Sequence, residues 1–118
     1  MTAARLKAVA GAAECVAVAT SLYFRPPEPA INFLPGTATS WTVIFLLGAA
    51  GFLVAATTGY PQAILLVFGF GATIHACLAF SLTGTAIAAG AGWLGAGLAG
   101  LIAVSYAVEA ARVARWLP

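Results

Sequence analysis

One glutamate in the middle of an apolar stretch is the first candidate for chemistry. Glu14 lies in the run from Leu6 to Phe24, in which Lys7 is the only other charged residue. A carboxylate inside hydrocarbon costs roughly 2.5–3.5 kcal/mol on insertion scales, so this side chain should face protein or water rather than lipid. Removal from water favours the protonated form of a carboxylate, which makes Glu14 a candidate proton carrier. The alternative is a structural hydrogen bond to another helix or another subunit.

Two further polar residues share a helix face with Glu14. Lys7, Glu14 and Ser21 are spaced by seven residues, which is two helical turns, or about 10 Å between successive positions. That distance is too large for a direct contact between Lys7 and Glu14. We take all three as candidates for binding a substrate or a proton.

His75 is the only histidine of the chain and the second candidate for chemistry. An imidazole within a membrane can carry protons, bind a ligand such as a quinone, or hydrogen-bond a side chain. A structural role is favoured here, with Glu14 as one candidate partner. The expected helix bounds place Glu14 at mid-depth and His75 further outward. A direct bond between the two side chains is therefore one alternative, and separate partners are the other. If the protein is an enzyme, Glu14 is the candidate acid and His75 the assisting group.

The composition indicates what kind of protein positions these residues. Of the 118 residues, 63% are hydrophobic and 7% are charged, and the mean hydropathy is +1.04. A soluble domain carries about 25% charged residues, so we predict an integral membrane protein. A net charge of +2 without a basic patch argues against nucleic acid as a partner. No cluster of metal-ligand residues occurs, so no metal site is expected.

Four segments are long enough to cross about 30 Å of hydrocarbon. The predicted fold is all-α, an antiparallel four-helix transmembrane bundle that forms a single domain over residues 1–118. The helices are expected at about 4–24, 40–58, 61–82 and 85–112. Prolines 26, 27 and 29 end the first helix, and tight turns are expected at 59–61 and 81–85. The loop 25–39 is apolar enough to lie partly in the membrane interface.

Basic residues predict the orientation of the chain in the membrane. Arg5 and Lys7 begin the first helix, Arg112 and Arg115 end the last, and Arg25 is alone at the other side. Because positive residues favour the cytoplasmic side, both termini are expected there, in the cytoplasmic (inner) membrane.

A stripe of small residues on the predicted fourth helix suggests close helix packing. Ala88, Gly92, Ala96 and Gly100 recur every four residues, a spacing that lets two helices approach closely. The stripe is either an interface with a second copy or another membrane subunit, or a packing surface within the chain. On the same helix, Glu109 and Arg112 are expected to form an exposed ion pair.

The middle of the chain resembles a known family of small membrane proteins. The segments 46–53, 59–63 and 70–75 are similar to the DoxX-like group, with its Gly-rich second helix, short polar turn and Gly-Ala…His ending in the third helix. Gly71, Ala72 and His75 match that ending. The resemblance implies an accessory subunit that contacts lipid or quinone beside quinone-linked oxidoreductases and has no catalytic activity alone. The sequence itself requires no cofactor; quinone and lipid are the ligands considered.

Two other functions remain open. The segment Ala12-Ala13-Glu14 is similar to the first helix of the small multidrug transporters, which are also four-helix proteins with an essential glutamate there. That resemblance implies exchange of protons for a hydrophobic cation at Glu14. The third hypothesis is an integral-membrane enzyme that acts on an apolar substrate such as a polyketide or terpenoid.

Overall fold

Helices account for nearly all of the chain that the computed structural model describes, which is residues 2–24 and 38–117. The four helices are α1 (Thr2–Phe24), α2 (Ala38–Thr58), α3 (Pro61–Ala89) and α4 (Trp93–Ala114). Each is long and apolar enough to cross a membrane. The predicted all-helical class with four potential spans is therefore confirmed. The predicted interfacial loop lies outside the described residues, except for its last two, which begin α2.

The helices pack as two close pairs. The most extensive packing joins α3 to α4 and α1 to α2, while α2 and α3 contact each other less. Between α1 and α4 the backbones rarely approach, so these two helices meet through long side chains. The seam between α1 and α4 therefore leaves room for cavities.

Small residues on α1 allow the close approach of α2. The inward positions Ala8, Ala12, Cys15 and Ala19 are almost fully buried, and their spacing of four and three residues follows one helix face. Gly11 lies on the same face, where an added Cβ would stand 2.9 Å from the ring of Phe52. Only glycine fits there without a shift of that ring.

Arg5 joins the beginning of α1 to the end of α2. Its Nε donates to the carbonyl of Ala56 at 2.7 Å, and its Nη2 donates to that of Thr57 at 3.1 Å. These carbonyls belong to the last turn of α2, where they lack partners within the helix and carry the negative end of its dipole. Gly59 then turns the chain with φ 69°, which favours glycine. Its position agrees with the turn predicted at 59–61.

The predicted turn at residues 81–85 is wrong, because α3 continues through it to Ala89. The hydroxyls of Thr83 and Thr85 donate to backbone carbonyls four residues earlier, at 2.7 and 3.2 Å. These bonds satisfy the threonine side chains inside a helix, and Gly84 costs only about 1 kcal/mol relative to alanine. The polar cluster therefore does not break the helix.

The turn between α3 and α4 lies instead at Gly90 and Gly92. Their φ angles are 68° and 89°, in the left-handed region that favours glycine. The N–H of Gly90 donates to the carbonyl of Ala86 at 2.8 Å and closes α3.

The later turn changes the interpretation of the small-residue stripe. Ala88 belongs to α3 and Gly92 to the turn, so only Ala96 and Gly100 lie on α4. The four residues do not form one ridge, because the chain reverses between them. Their role as an interface with another subunit stays a prediction.

Large apolar side chains cover the outside of the helices. The bundle exposes leucine, phenylalanine and valine side chains by half or more, among them Leu47, Leu66, Phe80, Leu101 and Val104. Much of the interior is built of alanine, with a few phenylalanine rings. Contiguous apolar surface is unfavourable in water, so this distribution agrees with a membrane protein.

Gly71 provides a test of the packing. An added Cβ would lie 2.9 Å from the ring of Tyr106 and 3.0 Å from that of Phe52, whereas one at Gly69 would contact nothing within 4 Å. We expect Gly71→Ala to lower the free energy of unfolding by about 1–3 kcal/mol through overpacking. Gly69→Ala, on the same helix, should be neutral or stabilising. Unfolding in detergent, followed by circular dichroism, measures both; equal effects would contradict the packing.

Candidate functional site

Glu14 is the centre of a hydrogen-bonded cluster near the middle of the helices. Its Oε1 lies 2.6 Å from Nε2 of His75. Its Oε2 accepts a hydrogen bond from the hydroxyl of Tyr106 at 3.0 Å and one from Sγ of Cys15 at 3.7 Å. The cluster therefore links α1 to α3 and α4. Of the two sequence-based alternatives for Glu14 and His75, the structure has the direct contact.

His75 is held rigidly from all sides. The side chain is fully buried, and Nδ1 lies 2.7 Å from the carbonyl oxygen of Gly71, one turn earlier on α3. The rings of Phe45 and Tyr106 both pack edge-to-face against the imidazole, with centroids 5.2 Å away. Phe45 comes from α2, so all four helices position the site.

The two bonds of His75 fix where its protons are. A carbonyl oxygen only accepts, so Nδ1 must carry a proton to bond Gly71. Nε2 then either carries a second proton and donates it to the Glu14 carboxylate, or accepts a proton from a protonated Glu14. In both cases one proton lies between Nε2 and Oε1. The two contacts of His75 are both hydrogen bonds only when the pair holds one proton more than a neutral imidazole and a carboxylate do.

Loss of that proton has a structural consequence. The neutral imidazole would then carry a single N–H, which can bond either the Glu14 carboxylate or the Gly71 carbonyl. One of the two contacts of His75 would lose its hydrogen. The Glu14–His75 pair is thus the polar link between α1 and α3.

Two cavities, each partly open at the surface of the bundle, meet at Glu14. One of about 310 Å³ follows the first half of α1 and the second half of α4, with Lys7, Ser105, Tyr106 and Glu109 in its wall. The other, of about 430 Å³, extends in the opposite direction along the second half of α1. Glu14 and Ile102 line both cavities. We call them the Lys7 cavity and the Ser21 cavity. Glu14 keeps 23% of its side-chain surface exposed, so the carboxylate is accessible from the cavities.

The Lys7 cavity ends at a group of charged side chains. Nζ of Lys7 lies 2.5 Å from Oε1 of Glu109, and Nη1 of Arg112 lies 2.9 Å from the same oxygen. The predicted pair of Glu109 and Arg112 is present, but Glu109 is buried with 7% of its surface exposed, rather than exposed as expected. It is buried because Lys7 reaches across the seam from α1. Lys7 thus binds Glu109 and shares only a cavity with Glu14.

Ser21 and the apolar residues around it form the second cavity. Ser21 is exposed and lies in the wall together with Leu78, Leu82 and Leu98. His75 and Glu14 are at the inner end of this cavity. The three residues predicted to share one face of the first helix therefore all border the seam, with Lys7 in one cavity, Ser21 in the other and Glu14 between them.

Tyr106 is the functional residue that the sequence analysis missed. Its hydroxyl is a polar group in the middle of an apolar helix, and a buried tyrosine hydroxyl normally needs a partner. Most other aromatic residues of α4 and its flanks, such as Trp93 and Trp116, lie at helix ends. The position of Tyr106 far from the helix ends was therefore the signal in the sequence that its hydroxyl has a partner within the bundle. The depth of His75 was also misjudged: with α3 ending at Ala89, His75 is the fifteenth of its 29 residues, level with Glu14.

No protein-family model, curated protein or solved structure matches this chain. The likeness of Gly71, Ala72 and His75 to the DoxX-like group stays a prediction. The described residues contain no group of three or more histidine, cysteine or acidic side chains that could hold a metal ion.

The position of the protons on His75 is directly measurable, because the chain has a single histidine. We expect nitrogen NMR of the ¹⁵N-labelled protein in nanodiscs to show a protonated Nδ1. In Glu14→Gln, the amide donates to Nε2, so Nδ1 should stay protonated while Nε2 becomes a pure acceptor. An unprotonated Nδ1 in the wild-type protein would contradict the tautomer deduced from the Gly71 contact.

The stability of two Glu14 variants tests the shared proton in a second way. Glutamine reproduces the protonated carboxyl group, since it donates to His75 and accepts from Tyr106. Glu14→Gln should therefore change the free energy of unfolding by less than about 1 kcal/mol, whereas Glu14→Ala should cost about 1–3 kcal/mol by leaving His75 without its partner. Chemical unfolding in micelles compares them. If glutamine destabilises as much as alanine, the protonated pair is not the state that the structure describes.

Proposed function

We propose that this chain is an integral protein of the cytoplasmic (inner) membrane, whose helices cross the bilayer as an antiparallel bundle. The length and apolar surface of the helices support this. The contact of Arg5 with the end of α2, and that of Lys7 with Glu109 near the end of α4, bring the start of α1 beside the ends of α2 and α4. Arg112 and Arg115 belong to the same end. This clustering of positive charge supports a cytoplasmic location for both termini.

The function that the geometry supports best is binding of a small apolar molecule with a hydrogen-bonding head, of the quinone class, coupled to proton exchange at Glu14. The observation that carries this proposal is the position of the hydrogen-bonded Glu14–His75 pair at the junction of two cavities. A carbonyl head needs a hydrogen-bond donor, and a hydroxyl head needs an acceptor. The lone pairs of the Glu14 carboxyl group can accept from a hydroxyl head, and a proton of the pair can be donated to a carbonyl head once the Glu14–His75 bond opens.

The shape of the Ser21 cavity supports an amphipathic ligand. Its polar groups are Glu14 and His75 at the inner end and Ser21 further out, and the remaining wall is alanine, valine, leucine, isoleucine and glycine. Its volume of about 430 Å³ falls within the range of small-molecule sites. An apolar ring and tail would contact this wall while the head reaches the Glu14–His75 pair.

A partner that performs electron transfer completes the proposal. The site supplies binding and a proton, and neither step oxidises or reduces a quinone. We therefore favour an accessory subunit of DoxX-like type, which holds a quinone or lipid next to a catalytic protein. Turnover of an apolar substrate by the purified chain alone would contradict this and favour the enzyme hypothesis, with Glu14 as acid and His75 assisting.

Proton-coupled transport is the second candidate function. Glu14 lines cavities that extend towards opposite ends of the bundle, an arrangement that suits a carboxylate exposed alternately to two sides. A proton and a hydrophobic cation would then compete for Glu14. Uptake of a lipophilic cation by proteoliposomes under a pH gradient, abolished in Glu14→Gln, would favour transport over the accessory role.

Binding of a short-chain quinone analogue tests the proposed function. With Tyr106→Phe the ring packing is kept and the hydrogen bond to Glu14 is lost, so the carboxyl group is less well oriented towards the head. We expect affinity to fall about two- to tenfold, the equivalent of one hydrogen bond. Tyr60→Phe, at an exposed turn residue, is the matched control and should bind as the wild-type protein does. Calorimetry in nanodiscs measures both affinities. If the wild-type protein shows no saturable binding of the analogue, the proposal is refuted.

A further inference from the structure

The Lys7 cavity differs from the Ser21 cavity in the side chains that line it. Along its length it presents the ammonium group of Lys7, the carboxylate of Glu109 and the hydroxyls of Ser105 and Tyr106, and it ends at Glu14. The Ser21 cavity is apolar beyond the Glu14–His75 pair, apart from Ser21 itself. The two cavities are thus suited to different contents.

We propose that the Lys7 cavity is a water-filled proton path that connects the Glu14–His75 pair to the end of the bundle where α1 begins and α4 ends. The ligand occupies the Ser21 cavity, so proton and ligand reach Glu14 from opposite directions. Only the assignment of the ligand rests on the proposed function. The proton path rests on the geometry of the Lys7 cavity and on the contact between Glu14 and His75 at its inner end.

The dimensions of the Lys7 cavity fit a short chain of water molecules. Its volume of about 310 Å³ is much larger than a single water needs, so the cavity has room for several waters. A buried water needs two to four polar partners, and the cavity supplies them on both helices. Lys7 is about 10 Å from Glu14 along α1. Ser105 and Tyr106, on the facing helix, line the same cavity and divide this distance into steps that water can bridge.

Ile102 lies between the water proposed for the Lys7 cavity and the ligand proposed for the Ser21 cavity. It lines both cavities together with Glu14, and its side chain has no group that hydrogen-bonds water. Water that reaches Glu14 from the Lys7 cavity therefore meets an apolar boundary at this level. The carboxyl group is the polar side chain that both cavities share, which makes it the point where proton and ligand compete.

The proton step itself involves one proton and no electrons. A proton from bulk water passes along the water chain and binds between Oε1 of Glu14 and Nε2 of His75, and the reverse movement returns it to bulk water. The titratable groups that face this pair are Tyr106 from α4 and Cys15 from α1, while α2 presents the ring of Phe45. Lys7, Glu109 and Arg112 form the outer end of the path, where their ion pairs hold α1 and α4 together.

Variants that fill one cavity at a time test the path. Ser105→Leu and Ala10→Leu each place an apolar side chain in the Lys7 cavity from a different helix, and both positions are exposed. Ala17→Leu fills the Ser21 cavity from an equally exposed position. Val104→Leu, on the exposed neighbour of Ser105 outside both cavities, is the matched control.

The measurement is the rate at which the ring protons of His75 exchange with water, by NMR in nanodiscs, with unchanged ring nitrogen shifts as the criterion of an intact fold. We expect Ser105→Leu and Ala10→Leu to slow exchange about tenfold or more, because exchange then requires opening of the helix seam. Val104→Leu and Ala17→Leu should exchange as the wild-type protein does. The use of two filling variants keeps the test decisive if one of them fails to fold.

The outcomes separate the proton path from the ligand assignment. Wild-type exchange rates in both filling variants, or slowing by Ala17→Leu alone, would overturn the path. Slowed exchange in a protein that binds no quinone analogue would support the path and remove the quinone proposal. Loss of quinone binding in Ala17→Leu with unchanged proton exchange would support both.

Discussion

The contact between Glu14 and His75 is the interaction on which the rest of the structure depends. Without it, a carboxyl group and an imidazole would lie within apolar helices without their mutual hydrogen bond, and burial of unpaired polar groups is unfavourable. With it, α1 and α3 are joined at the level where the other helices also contribute. Tyr106 orients the carboxyl group from α4, and Phe45 holds the imidazole from α2. The Glu14–His75 contact therefore organises the centre of the bundle.

The unequal packing of the helices follows from side-chain size. Alanine and glycine on α1 allow α2 to approach closely, so this pair has little free space. Across the α1–α4 seam the contacts come from long side chains, those of Tyr106, Lys7 and Glu109. Long side chains hold the helix axes apart, and the space between them becomes the two cavities. The same residues that connect the seam thus create the access to Glu14.

The charged groups are divided between two roles. At the end of the bundle, the partly exposed cations Lys7 and Arg112 both pair with the buried Glu109, and the Lys7 pair joins α1 to α4. Arg5 instead satisfies the carbonyls that end α2, where a cation complements the helix dipole. Near the middle of the helices, Glu14 instead contacts three uncharged or titratable side chains, those of His75, Tyr106 and Cys15. Ionisable side chains near the helix ends therefore stabilise the packing of the helices, whereas those near the middle belong to the candidate site.

Composition and local pattern were sufficient to predict the helical class, the four potential spans and the turn at residues 59–61, because these depend on hydrophobic length and on glycine and proline. They also singled out Glu14 and His75, since an ionisable group in an apolar segment is conspicuous by itself. They did not reveal the end of α3, because Thr83 and Thr85 satisfy their hydroxyls within a helix as readily as in a turn. The contact of Tyr106 with Glu14, the burial of Glu109 and the division of the seam into two cavities were decided by tertiary structure alone. Each of these depends on which residues of distant segments face one another, and the spacing within one segment carries no information about its partner.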